Sequence, residues 1–267
     1  MYKLRNWIDR DSLNKRMLTT NPGAIQLLEE DYENYGEFDE DYGEIDWFYL
    51  SANPAVVHIL EKNLHRISWA MLSLNPSAAH ILSKNLDRID WFWLSTVPEA
   101  IQILENHPHF INWIQLSKNP AAIHLLKARP EEISWKYLSC NPGAIKLLEA
   151  NPDKINWEYL SRNPAAIHLL KANPERIDWS VLSLNPAAIE ILEANPHLIN
   201  WPQLCQNPSA IHLLEANQDK IEYYMISKNP AIFTYDYARM ICPFTEELMA
   251  NRFHPRNFDK FEAWGFE

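Results

Sequence analysis

The hydrophobic positions of this chain repeat with a fixed period of 22 residues. A tryptophan returns once in every period for eight copies, and Tyr223 takes the ninth position. The eight tryptophans, which we expect to form a structural ladder, are Trp47, Trp69, Trp91, Trp113, Trp135, Trp157, Trp179 and Trp201. Self-similarity at a fixed period of this length is typical of a solenoid, in which most repeated residues are structural.

One repeat contains the signals for two helices. Asp178 precedes the tryptophan as a good N-cap, because its side chain can accept from an amide of the first turn. Asn185 and Pro186 then end the first helix and begin the second, since proline at the first helical position loses only an orphan donor. A second Asn-Pro pair, Asn195 and Pro196, ends the second helix. We therefore predict two short helices per repeat, the first either α or 3-10.

The fold class that follows is all-α: an α-solenoid of about nine 22-residue repeats with atypical terminal caps. Packed helices lie roughly 8–10 Å apart, so the stack is predicted to be a rod or superhelix on the order of 80–90 Å long. The tryptophans are expected to be buried between repeats, where Trp135→Ala would cost about 3–5 kcal/mol.

Four segments are expected along the chain. Residues 1–30 form an N-terminal cap with a degenerate repeat, 31–44 an acidic aromatic insertion loop, 45–230 the repeat array and 231–267 a C-terminal cap. In the degenerate repeat Lys15 stands where tryptophan belongs, which is consistent with an outer surface that faces water. The acidic insertion is interpreted either as an external loop or as a docking segment for a basic partner.

The net charge of −11 arises mostly in one place. Residues 29–44 hold nine acids and no base, so the array itself is near neutral. It lacks the basic stripe of a nucleic-acid binder and the polybasic patch of a membrane-surface protein. The three cysteines show no CxxC spacing, and we see neither an apolar signal segment nor a membrane span. We expect an intracellular protein with reduced thiols, not a secreted one.

The unit LSxNPxAIxLLExNPxxIxW, as in residues 160–179, resembles a repeat found in proteins of nucleocytoplasmic large DNA viruses. The segment from Glu247 to Phe258, with its Phe253-His254-Pro255-Arg256-Asn257 core, also looks like the C-terminal tail of those proteins. This resemblance covers nearly the whole chain and implies a viral origin, in the virion or in the cytoplasm or nucleus of a host cell. It implies no catalytic role.

Two repeated polar columns invite a functional interpretation. Histidines recur in one slot of the second helix: His58, His80, His124, His168 and His212. Same-slot residues in adjacent repeats lie roughly 9 Å apart, too far to share one zinc ion, so a surface slot is expected. The asparagines could form a hydrogen-bonding ladder for a ligand, but helix capping explains them without one.

The positions that change from copy to copy are the candidate binding positions. They are the second residue after each tryptophan and the residue just before each first Asn-Pro pair. The first set is interpreted either as inter-repeat packing or as a groove lined by aromatic side chains. The candidate partner-binding residues are Phe48, Tyr49, Phe92, Trp93, Tyr137, Tyr159, Lys118 and Arg162.

These patterns predict a non-enzymatic scaffold that binds a protein partner. The alternatives are a virion or assembly component, which could be a homo-oligomer, and repeat-wise nucleic-acid binding, which the pI of about 5.4 disfavours. No nucleophile, base or ligand set suggests catalytic residues, a metal site or a cofactor.

Overall fold

The computed structural model describes residues 2–28 and 46–236. Within these ranges the chain is a helical repeat array, which confirms the predicted fold class. The predicted insertion loop 31–44 and nearly all of the predicted cap 231–267 lie outside the described residues.

Each unit begins with a short α-helix, the first helix. We number the units 1 to 10 by these helices: Lys15–Leu18, Trp47–Leu50, Trp69–Leu72, Trp91–Leu94, Trp113–Leu116, Trp135–Leu138, Trp157–Ser161, Trp179–Leu182, Trp201–Leu204 and Tyr223–Ile226. Most of the predicted caps form, for example Asn112, whose Oδ1 accepts from the amide of Gln115 at 3.0 Å, although the Ser134 side chain makes no such bond. The amide of Leu116 donates to the Asn112 carbonyl at 2.8 Å, which is the α-helical pattern, so the first helix is α rather than 3-10.

The second half of each unit is divided more finely than predicted. The prolines after the first asparagines begin 3-10 turns: Pro22–Ala24, Pro54–Val56, Pro76–Ala78, Pro98–Ala100, Pro120–Ala122, Pro142–Ala144, Pro164–Ala166, Pro208–Ala210 and Pro230–Ile232. The α-helices that follow, here called second helices, are Val57–Lys62, Ala79–Leu82, Ile101–Asn106, Ile123–Ala128, Ile145–Glu149, Ile167–Ala172, Ile189–Ala194 and Ile211–Ala216. Further 3-10 turns follow them: Leu86–Arg88, Pro108–Phe110, Pro130–Glu132, Pro152–Lys154, Pro174–Arg176, Pro196–Leu198 and Gln218–Lys220.

The asparagine cap explains why the predicted second helix begins as a 3-10 turn. Asn119 Oδ1 accepts from the amide of Ala121, two residues on, and the Asn119 carbonyl accepts from Ala122, three residues on. This three-residue spacing is the 3-10 pattern, and the α-helix starts only at Ile123.

Leucines, not tryptophans, form the fully buried core. The largest side chains with essentially no exposure come from both helices of successive units: Leu60, Leu72, Leu82, Leu94, Leu104, Leu116, Leu126, Leu138, Leu148, Leu160, Leu170 and Leu182. The eight ladder tryptophans are only half-buried and pack against the edge of this core. The tryptophans therefore pack between repeats, but they are less buried than the sequence predicts.

Cationic side chains cover the outer faces of most of these indoles. Arg66 lies 5.4 Å from the Trp47 ring centroid, and Lys154 lies 4.6 Å from that of Trp135. Trp91 is covered differently, since the Phe110 ring stacks on it at 4.8 Å. A water-facing indole and a long cationic side chain thus shield each other at the unit boundary.

The first asparagine, which every unit except unit 4 contains, joins its unit to the one before it. Asn141 Nδ2 donates to the carbonyls of Ser117 at 2.9 Å and Asn119 at 3.0 Å, both in the preceding unit. Equivalent pairs of hydrogen bonds start from Asn53, Asn75, Asn119, Asn163, Asn185, Asn207 and Asn229. We call this buried column the asparagine belt. The hydrogen-bonding ladder is real, but its acceptors belong to the protein's own backbone.

A serine column makes a second link between successive units. The hydroxyl of Ser117 accepts from the amide of the next N-cap residue, Ser134, at 3.0 Å. Where the ninth unit has Cys205, its Sγ accepts from the Glu222 amide at 3.4 Å. These bonds give a partner to the backbone amide of the N-cap residue of a first helix. Without them this amide would be buried and unpaired.

The array closes on itself. Asn21 of unit 1 donates to the carbonyls of Ser227 and Asn229 of unit 10, at 2.9 and 3.0 Å, as every other belt asparagine does to its predecessor. The Asn14 amide donates to the Ser227 hydroxyl at 2.8 Å, which repeats the serine link. The ten units therefore form a ring, and the prediction of an extended rod or superhelix is wrong.

Two short strands also join the two ends of the array, next to the contact between units 1 and 10. Tyr2–Leu4 and Phe233–Tyr235 pair antiparallel, with Lys3 opposite Thr234. The Tyr2 and Tyr235 rings stack with their centroids 4.9 Å apart. Lys15, where tryptophan was expected, is exposed, but its unit packs against unit 10 instead of facing water as an end cap.

Candidate partner-binding surface

The variable positions lie on the first helices, in three columns. The residue after each tryptophan forms what we call the rim column: Phe48, Ala70, Phe92, Ile114, Lys136, Glu158, Ser180, Pro202 and Tyr224. The second residue after each tryptophan lies in the first helix, and the residue before each belt asparagine lies three positions on, in the turn that ends this helix, as Gln115 and Lys118 do. We call these two the paired columns.

The rim column exposes an apolar patch in units 2 to 5. Phe48 is 47%, Phe92 42% and Ile114 53% exposed, and Ala70 lies between the two phenylalanines. The Phe48 ring meets Tyr49 edge-on at 5.2 Å, and the Phe92 ring meets Trp93 edge-on at 4.9 Å. Contiguous exposed apolar surface is typical of interaction sites.

Ile114 was missed by the sequence argument. That argument grouped aromatic residues, and isoleucine is common in cores, so nothing in its residue type marked it as exposed. The available signal was positional, because Ile114 occupies the same slot as Phe48 and Phe92.

The paired columns carry a cationic and aromatic cluster in units 5 to 7. Lys118 Nζ lies 4.2 Å from the Tyr137 ring centroid and donates to Gln115 Oε1 at 2.8 Å. Tyr137 and Tyr159 meet edge-on, with their centroids 5.4 Å apart. Lys136 of the rim column lies 5.0 Å from the Tyr159 ring centroid. The structure therefore brings together three of the predicted residues, Lys118, Tyr137 and Tyr159.

Charges two units apart also interact on this face. Burial lowers the pKa of Lys118, the Cys140 thiol acts in the opposite direction, and Arg162 lowers this pKa further. Burial likewise raises the pKa of Cys140, against the effect of Lys118 and Arg162.

The predicted groove of four aromatics divides into two groups. Within the described residues, ring contacts link Tyr137 to Tyr159, and none links Trp93 to Tyr137 or to Tyr49. Tyr49 instead lies under Arg16 of unit 1, whose guanidinium carbon is 4.9 Å from its ring centroid. The surface is therefore apolar on units 2 to 5 and cationic on units 5 to 7.

The histidine column lies on the second helices and is exposed. His80, His124, His168 and His212 each place Nε2 at 2.6–2.9 Å from a glutamate of the preceding unit: Glu61, Glu105, Glu149 and Glu193, respectively. In unit 8 the pair is reversed, with Lys171 Nζ at 3.0 Å from Glu190. Exposed pairs such as these contribute little to stability, so the column is a polar part of the surface and not a major source of stability.

Residues 2–28 and 46–236 contain no group of three or more histidine, cysteine or acidic side chains that could hold a metal ion. None of the helices in those ranges is long and apolar enough to cross a membrane.

Comparison with known proteins gives no relative. No family model, no curated protein and no solved structure matches this chain.

Proposed function

We propose that the protein is a non-enzymatic scaffold that binds a protein partner through the surface of its first helices. The observation that carries the proposal is the apolar patch of Phe48, Phe92 and Ile114, which stands on a rigid, hydrogen-bonded frame. Aromatic and aliphatic anchors that are already held in place cost little ordering entropy when a partner covers them.

The variability of these columns supports the same proposal. Belt asparagines and core leucines recur in nearly every unit because each has an inter-unit bond or a buried position to fill. The chemistry of the rim and paired columns changes from apolar to cationic around the ring, and few of their members, such as Gln115, are buried. A surface of this kind can match one particular partner.

The test is an affinity capture from extracts of the source cells with three forms of the protein. The wild-type chain is expected to retain a specific partner, and the double variant Phe92→Ser/Trp93→Ser to lose it. Leu86→Ser/Leu198→Ser is the matched control, since it removes two exposed apolar side chains elsewhere on the ring. Equal capture by all three forms would exclude this patch as the binding site.

A second candidate is self-association through the same patch, as in an assembly protein. Exposed apolar patches in soluble proteins frequently mark homo-oligomer contacts. Light scattering coupled to size exclusion separates the two proposals. A stable oligomer that Phe92→Ser/Trp93→Ser converts to monomer supports self-association, and a wild-type monomer removes it.

A further inference from the structure

The paired columns hold no acidic residue, although the chain as a whole has 35 acids against 24 bases. Their charged members are Lys118, Arg162 and Lys228. Lys136 of the rim column adds a fourth cation beside Tyr159, and the next residue of that column is an acid, Glu158. An acidic protein therefore keeps one face cationic.

The cations of this face have no carboxylate partner among the described residues. Lys118 donates to the amide oxygen of Gln115 and lies over Tyr137, and Lys136 lies over Tyr159. Arg16 is paired with Asp46 at 2.8 Å and Lys171 with Glu190, whereas Arg66 and Lys154, like the cations of this face, lie over aromatic rings. Lys118 is partly buried, whereas Lys136 and Arg162 are exposed, so the carboxylates of a partner have access to these cations.

The aromatic rings define what kind of anion fits. Tyr137 and Tyr159 lie between the cations, and the apolar members Trp93 and Met71 lie on the same columns in the preceding units. A small inorganic ion would leave this apolar area uncovered, whereas carboxylates alternating with aromatic side chains would cover both parts.

We propose that the paired columns of units 3 to 7 bind an acidic peptide segment that contains aromatic residues. Its carboxylates pair with Lys118, Lys136 and Arg162, and its aromatic side chains pack on Tyr137, Tyr159 and Trp93. The proposal deepens the proposed scaffold function, on which it rests, by naming the chemistry of the partner.

The experiment measures binding of a fluorescein-labelled 16-residue peptide, four copies of Glu-Glu-Tyr-Glu, by fluorescence anisotropy. The wild-type protein is expected to bind it, and binding should weaken steadily between low and physiological salt because the cations are exposed to screening. Lys118→Gln/Arg162→Gln should reduce the affinity about tenfold or more, since two charge-assisted contacts are lost. The double variant Lys127→Gln/Lys146→Gln, which removes the same charge from second helices in units 5 and 6, should bind like wild type.

Three results would overturn the proposal: equal binding of a peptide with Gln in place of Glu, equal losses in the two double variants, or no binding to wild type. A 12-nucleotide oligouridylate that binds more tightly than the peptide would also overturn it, in favour of a nucleic-acid ligand. The proposed function is tested separately from this proposal. If the peptide does not bind but Phe92→Ser/Trp93→Ser still abolishes capture of a cellular partner, only the acidic class is wrong.

Discussion

At the residue scale, the side chain that repeats most visibly is not the one that is most buried. Trp135 is only partly buried and lies beneath Lys154, whereas Leu138, three residues later, has no exposed surface. The sequence pattern identifies both as repeated apolar positions. It cannot rank their burial, because that depends on which side of the short helix meets the neighbouring unit.

Leu138→Ala should lower the free energy of unfolding by about 2–5 kcal/mol, because it leaves a cavity inside a close-packed core. Trp135→Ala should cost less than this, although it removes more atoms, since the indole is only partly buried and its outer face meets Lys154. Urea denaturation of both variants measures the difference. A clearly larger loss for Trp135→Ala would restore the tryptophan ladder as the core.

Cys205 gives a prediction about pH. Burial raises the pKa of this thiol above its ordinary value of 9.0, so the folded state favours the protonated form. That contribution is present at lower pH and is lost as the pH rises through the folded-state pKa. Thermal melts from pH 7 to 10 should therefore show a steeper alkaline loss for wild type than for Cys205→Ser, whose hydroxyl restores the serine link. Parallel curves would contradict this.

At the element scale, the sequence predicts most of the local structure. N-caps, Asn-Pro boundaries and helix starts follow from single residues whose chemistry is local, such as Asn112 before the helix at Trp113. The division of the second helix into a 3-10 turn and an α-helix could have been anticipated only from the reach of the asparagine cap. The double bond from each belt asparagine to the preceding unit is not local, so helix-capping rules could not reveal it.

Val97 breaks the belt and offers a gain-of-stability test. It is buried where the other units have asparagine, so the carbonyls of Ser73 and Asn75 receive no belt donor. Val97→Asn should supply two donors and a cap for the amide of Glu99, and so raise stability by about 1 kcal/mol. The reverse change, Asn119→Val, should lower it. Differential scanning calorimetry measures both variants. A lower melting temperature for Val97→Asn would contradict the expected gain from the two added hydrogen bonds.

At the scale of the whole molecule, closure could not be predicted from the periodic pattern. The pattern fixes the contents of one unit, but ring or rod depends on the small rotation between units, which accumulates over ten copies. The one available indication was that the degenerate first unit keeps Asn21 and Pro22, although it loses its tryptophan. The sequence could propose candidate surface residues, because variability between copies can be seen directly in a sequence. It could not predict closure, because the curvature of the array cannot be seen there.

Asn21→Ala tests closure directly. In a ring it removes two buried hydrogen bonds between units 1 and 10 and should cost about 1–3 kcal/mol, as Asn141→Ala does within the array. In an open rod an asparagine of the first unit would have no carbonyls to meet, and Asn21→Ala would be nearly neutral. Chemical denaturation of the two variants side by side distinguishes the two shapes.

The hydrogen-bonded contact between Asn21 and Asn229 also changes how the molecule can unfold. An open stack of repeats frays, because its terminal units have one neighbour each and detach first. Here unit 1 and unit 10 have two neighbours like the rest, so no unit can leave without breaking two interfaces at once. Belt and serine-link amides should then exchange with deuterium at similar rates around the circle, with no gradient toward either end of the chain.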